Sequence, residues 1–514
     1  MKNVLEYLES TVTRVPDKIA YSDGEENMTF SEVSDCALSV GACLLDKGAG
    51  GIPVAVLTGK HPHAIACFFG VVYAGGSYVP IDDEMPETRV GLILDNVQVR
   101  VIICDESTHK RACALAAEHG AEAVLCEDMF AYTVTDADKD ALSKVRRRQI
   151  DTDPIYMVFT SGSTGIPKGV AACHRSVIDY IEALSSTLGF DENTVFGNQA
   201  PLYFDACLKE LYPTIKFGAT AYLIPKSNFM FPVKLVEFLN EHKINTVCWV
   251  VSALTMISST GTLDILKPQY LRTVAFGSEV FPPSQLKLWR EALPECEFYN
   301  LYGPTECTGM SCFYHVTDEL SDGEPVPIGE PFPNTDVMLL VWNEDGSARP
   351  VEVGEEGELC IRGTPLTLGY YNNAEETDRA FVQNPLHHHY HELIYRTGDI
   401  ARYNERGQLV FVSRRDHQIK HMGHRIELGE IEYIAAGCEG VTNVCCVYDR
   451  DAGKIVFFYT GTVEKRPLTL ELRRKLPRYM LPNVTIKLDE MPLTPNGKRD
   501  RQTLAKIYAE SDNL

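Results

Sequence analysis

Four hydroxyls, three glycines and a lysine fall within ten residues, Thr160-Ser161-Gly162-Ser163-Thr164-Gly165-Ile166-Pro167-Lys168-Gly169. Glycines let a backbone curl so that its N–H groups point inward, and such a nest suits phosphate oxygens. The hydroxyls of Thr160, Ser161, Ser163 and Thr164 add donors, and Lys168 adds a point charge that can follow a moving phosphate. This is not a Walker A loop, which needs G-x-x-x-x-G-K-[ST], because Pro167 precedes Lys168 and Gly169 follows it. A second polar cluster, His387, His388, His389 and His391, could suggest a metal, but consecutive histidines cannot all face one ion, so it reads as a solvated loop.

The phosphate-type loop has to be held by its neighbours. Ile155-Tyr156-Met157-Val158-Phe159 reads as a buried strand leading into it, and a helical pattern begins near His174. Residues 1–45 read as helical, with Thr29 or Ser31 capping a helix that Met28-Thr29-Phe30-Ser31-Glu32-Val33 opens. A strand at Ile52–Leu57, an apolar helix around Ala64–Tyr73 and a strand at Val99–Cys104 begin an alternation that continues through Val247–Val251 and Leu271–Phe276. That is the α/β signature of a layered, largely parallel sheet. From about 325 to 412 the texture becomes Gly-punctuated and strand-like, which predicts a β-rich subdomain. The expected division is a large N-terminal domain, 1–415, and a small mobile α+β C-terminal domain, 416–514.

The chain has 514 residues, too many for one core, and 45% are hydrophobic, an ordinary globular share. A net charge of -23 argues against nucleic acid and anionic membrane as partners. The start of the chain has no apolar leader and no run approaches a membrane span. Sixteen cysteines are scattered without a C-x-x-C pair, the pattern of a reducing cytoplasm. Residues 417–514 carry 15 Lys and Arg against 13 Asp and Glu, unlike the acidic remainder, which supports two bodies.

The S-G-S-T-G-x-P-K-G order resembles the phosphate loop of the adenylate-forming enzymes, a superfamily of acyl-CoA synthetases, peptide-synthetase adenylation domains and firefly-type luciferases. Further segments resemble the family's motifs in the family's order. In Asn300-Leu301-Tyr302-Gly303-Pro304-Thr305-Glu306, the resemblance implies that Tyr302 stacks on adenine, Thr305 meets the α-phosphate and Glu306 holds Mg²⁺. Those assignments suit the residue types, since a hard cation wants a carboxylate oxygen and a base wants an aromatic face. Asp399, closing Tyr395-Arg396-Thr397-Gly398-Asp399, would accept the ribose hydroxyls, and Arg414 would meet ribose and phosphate. Asp416 matches the hinge, with Ser413 where the family has Gly. Lys420 lies in the loop implied for thioester formation, and Lys498, in Pro495-Asn496-Gly497-Lys498, matches the lysine that drives adenylation. The implied reaction uses ATP and Mg²⁺ to turn a carboxylate into an acyl-adenylate, which a thiol then traps.

Which acid is activated turns on Asn198-Gln199-Ala200-Pro201-Leu202-Tyr203-Phe204-Asp205 and the residues after it. In amino-acid-activating members an Asp after Phe binds the substrate α-ammonium, and Asp205 matches; it could equally cap a helix over Ala206–Leu211. The chain is most similar to freestanding D-alanine–carrier protein ligases, but has Gly277 where that family places a Cys, which would make room for a larger substrate. Matching to peptide-synthetase domains adds Ala206, Lys209, Trp249, Ala275, Leu301, Gly309 and Met310 as pocket positions. Lys209 would favour an acidic substrate if it faced the pocket, or would pair with Asp205 or Glu210 at the surface. No carrier signature follows residue 501, so the expected partner is a separate phosphopantetheine-bearing carrier protein. The alternatives are an acyl-CoA synthetase for a small carboxylic acid and a luciferase-like or inactive relative.

Overall fold

The computed structural model describes residues 1–162, 166–317, 324–415, 418–450, 452–493 and 499–511. They divide into two compact units, one of residues 1–83, 96–158 and 169–415, the other of 84–95, 159–168 and 416–514.

The strongly apolar runs Val54–Thr58 and Val101–Cys104 are buried along their whole length, as parallel strands covered on both faces must be. They belong to a sheet of six described strands, ordered Glu122–Leu125, Val101–Cys104, Val54–Thr58, Tyr78–Asp82, Pro154–Thr160, Lys168–Cys173. A second sheet has nine described strands. Its parallel centre runs Glu297–Tyr302, Thr273–Gly277, Thr246–Val250, Val195–Asn198, Thr220–Leu223, Ile19–Ser22, and antiparallel strands close both edges. Helices such as His174–Leu188 and Leu208–Phe217 cross between the strands, so the α/β expectation holds. The third sheet is antiparallel, built from Thr335–Trp342, Gly357–Gly363, Leu393–Tyr403 and Leu409–Arg414 among others, within the stretch read as β-rich.

Residues 1–45 are not wholly helical. Thr29 caps the helix Phe30–Asp46 through a reciprocal capping box with Glu32, as expected. Ahead of it lie the strands Ile19–Ser22 and Asn27–Thr29. The first is recruited by pairing Tyr21 with Ala221, two hundred residues away in sequence, which no local pattern announces.

The helix Leu5–Arg14 is tied to the rest of its unit through a buried imidazole. His174 is fully buried, with its ring nitrogens 3.3 Å from Asn3 Nδ2 and 3.4 Å from Val4 N. Burial, then Arg146, lowers its pKa from 6.5 to about 3. Between those values the unfolded chain binds a proton that the folded chain refuses, so stability falls as pH drops below 6.5. Urea midpoints at about pH 7 and about pH 5 should therefore separate more for the wild type than for His174→Gln. Equal separations would remove His174 as the titrating group.

In the second unit the hairpin Gln418–His421 and His424–Glu427 leads into helix Leu428–Ala436 and a sheet of three described strands, Val441–Asp449, Lys454–Gly461 and Val484–Lys487. Buried Arg89 pairs with buried Glu430, and Glu432 receives Arg499 at 3.0 Å and Arg501 at 2.6 Å. All sixteen cysteines are free thiols. Among the described residues no helix is long and apolar enough to cross a membrane.

Candidate active site

The second sheet's parallel strands end together, and the run Asn300–Glu306 and Gly277 sit at or just past those carboxyl ends, where open α/β sheets place ligands. Tyr302 is the last residue of strand Glu297–Tyr302, and its hydroxyl donates to Asp399 Oδ2 at 2.5 Å. Arg414, register partner of Asp399 across the antiparallel pair, donates to Oδ1 at 2.5 Å and to Thr397 O at 3.1 Å. Three residues spread over more than a hundred positions thus form one buried cluster. Burial, with Asp399 alongside, pushes the Tyr302 phenol well up. Asn300 turns elsewhere and donates to Pro327 O at 2.7 Å.

The turn after Tyr302 depends on close approach. A Cβ at Gly303 would lie 2.2 Å from Gly309 O and 2.5 Å from Met310 Cα, so only glycine lets these two segments touch. Thr305 and Glu306 follow in the short helical turn Thr305–Cys307. Glu306 is 1% exposed, and its Oε1 accepts from the Tyr370 hydroxyl at 2.6 Å. Its carboxylate is a hard oxygen donor, the type Mg²⁺ takes singly while phosphates and water fill the other positions, so the residue fits the ion. Among the described residues no cluster of three metal-binding side chains occurs, His387–His391 included; His387 instead meets Glu392 at 3.0 Å.

Asp205 opens a single helical turn, Asp205–Cys207, directly before helix Leu208–Phe217. Neither the turn nor the helix is capped by its side chain, because Phe204 and Cys207 hold the cap positions, so the N-cap reading fails. Burial raises the Asp205 carboxyl above its ordinary range; Lys209 and the Thr305 hydroxyl oppose this, and Glu306 adds to it. The Phe204-Asp205 and Thr305-Glu306 segments therefore meet.

Lys209 is not at the surface, as simple pairing would require; it is 5% exposed. Glu210 beside it is fully buried, receives Asn198 Nδ2 at 3.2 Å, and is pushed up to about 7 by burial, against the pull of Lys209. Ala206, Ala275, Leu301 and Met310 join the same apolar cluster. Gly309 rests against the Tyr180 ring. Trp249 does not join them. Its indole packs edge-on against Phe229 at 5.5 Å, donates to Gly197 O at 2.6 Å and belongs to a separate core. Alternation along the strand gives the neighbouring Cys248, and not Trp249, to the core that holds Ala275, Leu301 and Met310. Gly277 also differs from expectation. A Cβ there would lie 2.4 Å from Leu301 O, so the missing side chain accommodates the adjacent strand and frees no substrate space.

Of the phosphate-type loop, Thr160 ends its strand, Lys168 begins the next, and Ser161 Oγ donates to Arg425 O at 3.0 Å and accepts from Glu427 N at 3.2 Å. A Cβ on Gly162 would lie 2.1 Å from Ile166 O. Lys420 lies on the hairpin strand Gln418–His421. Ser163, Thr164, Gly165, Asp416 and Lys498 fall outside the described residues.

One residue escapes the sequence reading altogether. Lys60, just past strand Val54–Thr58, donates to Asn198 O at 3.0 Å, Gln199 O at 3.1 Å and Ile224 O at 3.3 Å, tying the first sheet to strand ends of the second. Burial lowers its pKa to about 7, with Glu210 resisting. Gly59-Lys60 looks like any loop pair in sequence, so no local signal marks it.

A family model described as AMP-binding enzyme matches residues 8–371. Tyrocidine synthase 1 of Brevibacillus parabrevis is 30% identical over 509 residues, covering 98% of this chain and 45% of its own. Gramicidin S synthase 1 of Brevibacillus brevis is 30% identical over 515 residues, covering 98% of this chain and 44% of its own. The chain spans less than half the length of these relatives. Among solved structures, that of holo-PA1221, an NRPS protein containing adenylation and PCP domains bound to a vinylsulfonamide inhibitor, matches with a TM-score of 0.83 at 25% identity, over 98% of this chain and 84% of that one.

Proposed function

The chain belongs to the AMP-binding enzyme family, with a peptide-synthetase-like adenylation domain, and from that premise we propose that it activates an amino acid as aminoacyl-AMP and passes it to the phosphopantetheine thiol of a separate carrier protein. The observation that carries this reading is the half-buried Asp205 carboxylate, whose proton affinity burial raises, Lys209 and Thr305 lower and Glu306 raises further, a sensible counter-charge for a substrate α-ammonium.

In the first step the substrate carboxylate, already ionised at neutral pH, attacks the α-phosphorus of ATP; one P–O bond forms and the bond to pyrophosphate breaks. Asp205 holds the ammonium, so the carboxylate is presented towards Thr305. The Tyr302–Asp399–Arg414 cluster would receive adenine and ribose, with Gly303 shaping the turn and Asn300 holding the segment of Pro327 beside the strand. Thr305, Lys498 and the loop Thr160–Lys168 would meet the charge that spreads over the transferring group. Glu306 is the carboxylate that would hold Mg²⁺, which supplies charge neutralisation to the phosphates when bound. In the second step the carrier thiol forms a thioester at the acyl carbon and AMP leaves, with Lys420 on the segment assigned to that half-reaction and Asp416 as the hinge between the two.

Pyrophosphate exchange into ATP tests the reading, screened over both enantiomers of the common amino acids together with acetate and benzoate. One amino acid should stand clear of the rest. Exchange driven only by acids without an amino group would replace this reading with an acyl-CoA synthetase.

A further inference from the structure

Lys60 has no part in the two half-reactions, yet its half-buried ammonium spends all three of its donors inside the protein. They go to main-chain carbonyls, Asn198 O at 3.0 Å, Gln199 O at 3.1 Å and Ile224 O at 3.3 Å. Asn198 ends one of two paired parallel strands, Val195–Asn198, and Ile224 directly follows the other, Thr220–Leu223. Burial works against the charge, and Glu210 is the chief group that sustains it.

The backbone beneath Lys60 is pinned. Gly59 N donates to Asp105 Oδ2 at 2.8 Å, and His61 Nε2 lies 3.2 Å from the same oxygen, so both chain neighbours of Lys60 are tied to one carboxylate. Asp105 is fixed in turn, because its Oδ1 accepts from Thr108 N at 2.9 Å and Ser107 Oγ at 2.5 Å. The ammonium is therefore presented from an anchored base.

What it grips leads to Asp205. Asn198, held through its carbonyl, donates its side-chain amide to Glu210 Oε2 at 3.2 Å, on helix Leu208–Phe217. That bond closes a loop of chain from 198 to 210 with Asp205 inside it. Within the loop, Phe204 N donates to Pro201 O at 3.2 Å and Cys207 Sγ to Leu202 O at 3.7 Å. Pro201, Leu202 and Tyr203 also line a cavity of about 20 Å³ with Lys60, room for about one water, so the loop packs up to the lysine.

Resting on the amino-acid reading of this site, we propose that Lys60 is a positioning residue: by clamping the carbonyls of Asn198, Gln199 and Ile224 it sets where the Asp205 carboxylate meets the substrate α-ammonium. An ammonium is a compact charge that can bond three converging carbonyls at once. Without it three partial negative charges face one another with no cation between them, and the strand ends separate to take up water. The displacement passes along residues 199–204 to Asp205. Tyr302 keeps its own contacts with Asp399, and Asp399 its contact with Arg414, so the defect falls on the amino acid and spares the nucleotide.

The test measures pyrophosphate exchange with the preferred amino acid in the wild type, Lys60→Met, Lys60→Gln, Asp205→Ala and the Lys60→Met, Asp205→Ala double variant, with circular dichroism to identify folded protein. In Lys60→Met, KM for the amino acid should rise about 100-fold, the cost of displacing a binding group by roughly 1 Å, while KM for ATP stays unchanged. Lys60→Gln keeps an amide donor for the carbonyls and should show the same pattern at about 10-fold; it decides where Lys60→Met does not fold. Added to Asp205→Ala, Lys60→Met should cost nothing further, because a residue that acts through Asp205 then has nothing left to place. An unchanged amino-acid KM in either folded variant overturns the inference. So does a KM for ATP that rises in step, or a loss that multiplies with that of Asp205→Ala, either of which makes Lys60 a residue of the fold alone. These three results spare the amino-acid reading. Exchange with acetate or benzoate alone overturns both.

Discussion

Asp205→Ala loses amino-acid-dependent pyrophosphate exchange by about 100-fold or more, the expected consequence of removing one half of a half-buried charge pair, which costs about 3 kcal/mol. The carboxylate is half-buried, and burial raises its proton affinity, which a bound ammonium would offset. Alanine leaves the substrate ammonium unanswered in the occupied site. Asp205→Asn restores hydrogen bonding without charge and should recover little. A carboxylic acid without an amino group discriminates between roles: its weak background exchange should be unaffected or improved in Asp205→Ala, because it brings no cation. A loss below about 10-fold with the preferred amino acid would remove Asp205 from substrate binding.

The second large effect is expected at Asp399. It is 3% exposed and accepts both the Tyr302 hydroxyl and the Arg414 guanidinium at 2.5 Å, so Asp399→Ala strands a buried cation and a buried phenol together. KM for ATP should rise about 100-fold, and the thermal midpoint should fall, because these contacts exist before any nucleotide arrives. Asp399→Asn keeps an acceptor for Tyr302 but loses the ion pair. If ribose is recognised here, Asn should regain most of the midpoint and little of the nucleotide affinity, measured by AMP titration calorimetry. Recovery of both together would make Asp399 a structural residue only.

The local sequence carried the elements and the chemistry types. Thr29 and Glu32 at the right spacing made a capping box, and apolar runs such as Val101–Cys104 could only be covered strands. Phe204-Asp205 and Thr305-Glu306 were each recognisable as short motifs with defined donor sets. What sequence could not supply was the side on which a residue falls at a strand's end. Trp249 and Cys248 are adjacent, and a one-residue difference in strand phase sends one to each face of the sheet, with opposite meanings for the pocket. Gly277 likewise looked like vacant space, until the neighbouring strand's Leu301 carbonyl was found to occupy it.

The sequence by itself determined the family, the α/β layering and the kinds of groups available, because motif spacing and hydrophobic period are local properties of the chain. Only the tertiary structure decided that Lys209 is buried, that Lys60 clamps three carbonyls, and that Tyr302, Asp399 and Arg414 form one cluster. Burial and pairing depend on which distant segments pack together. A lysine's charge means little in water and a great deal in a protein interior.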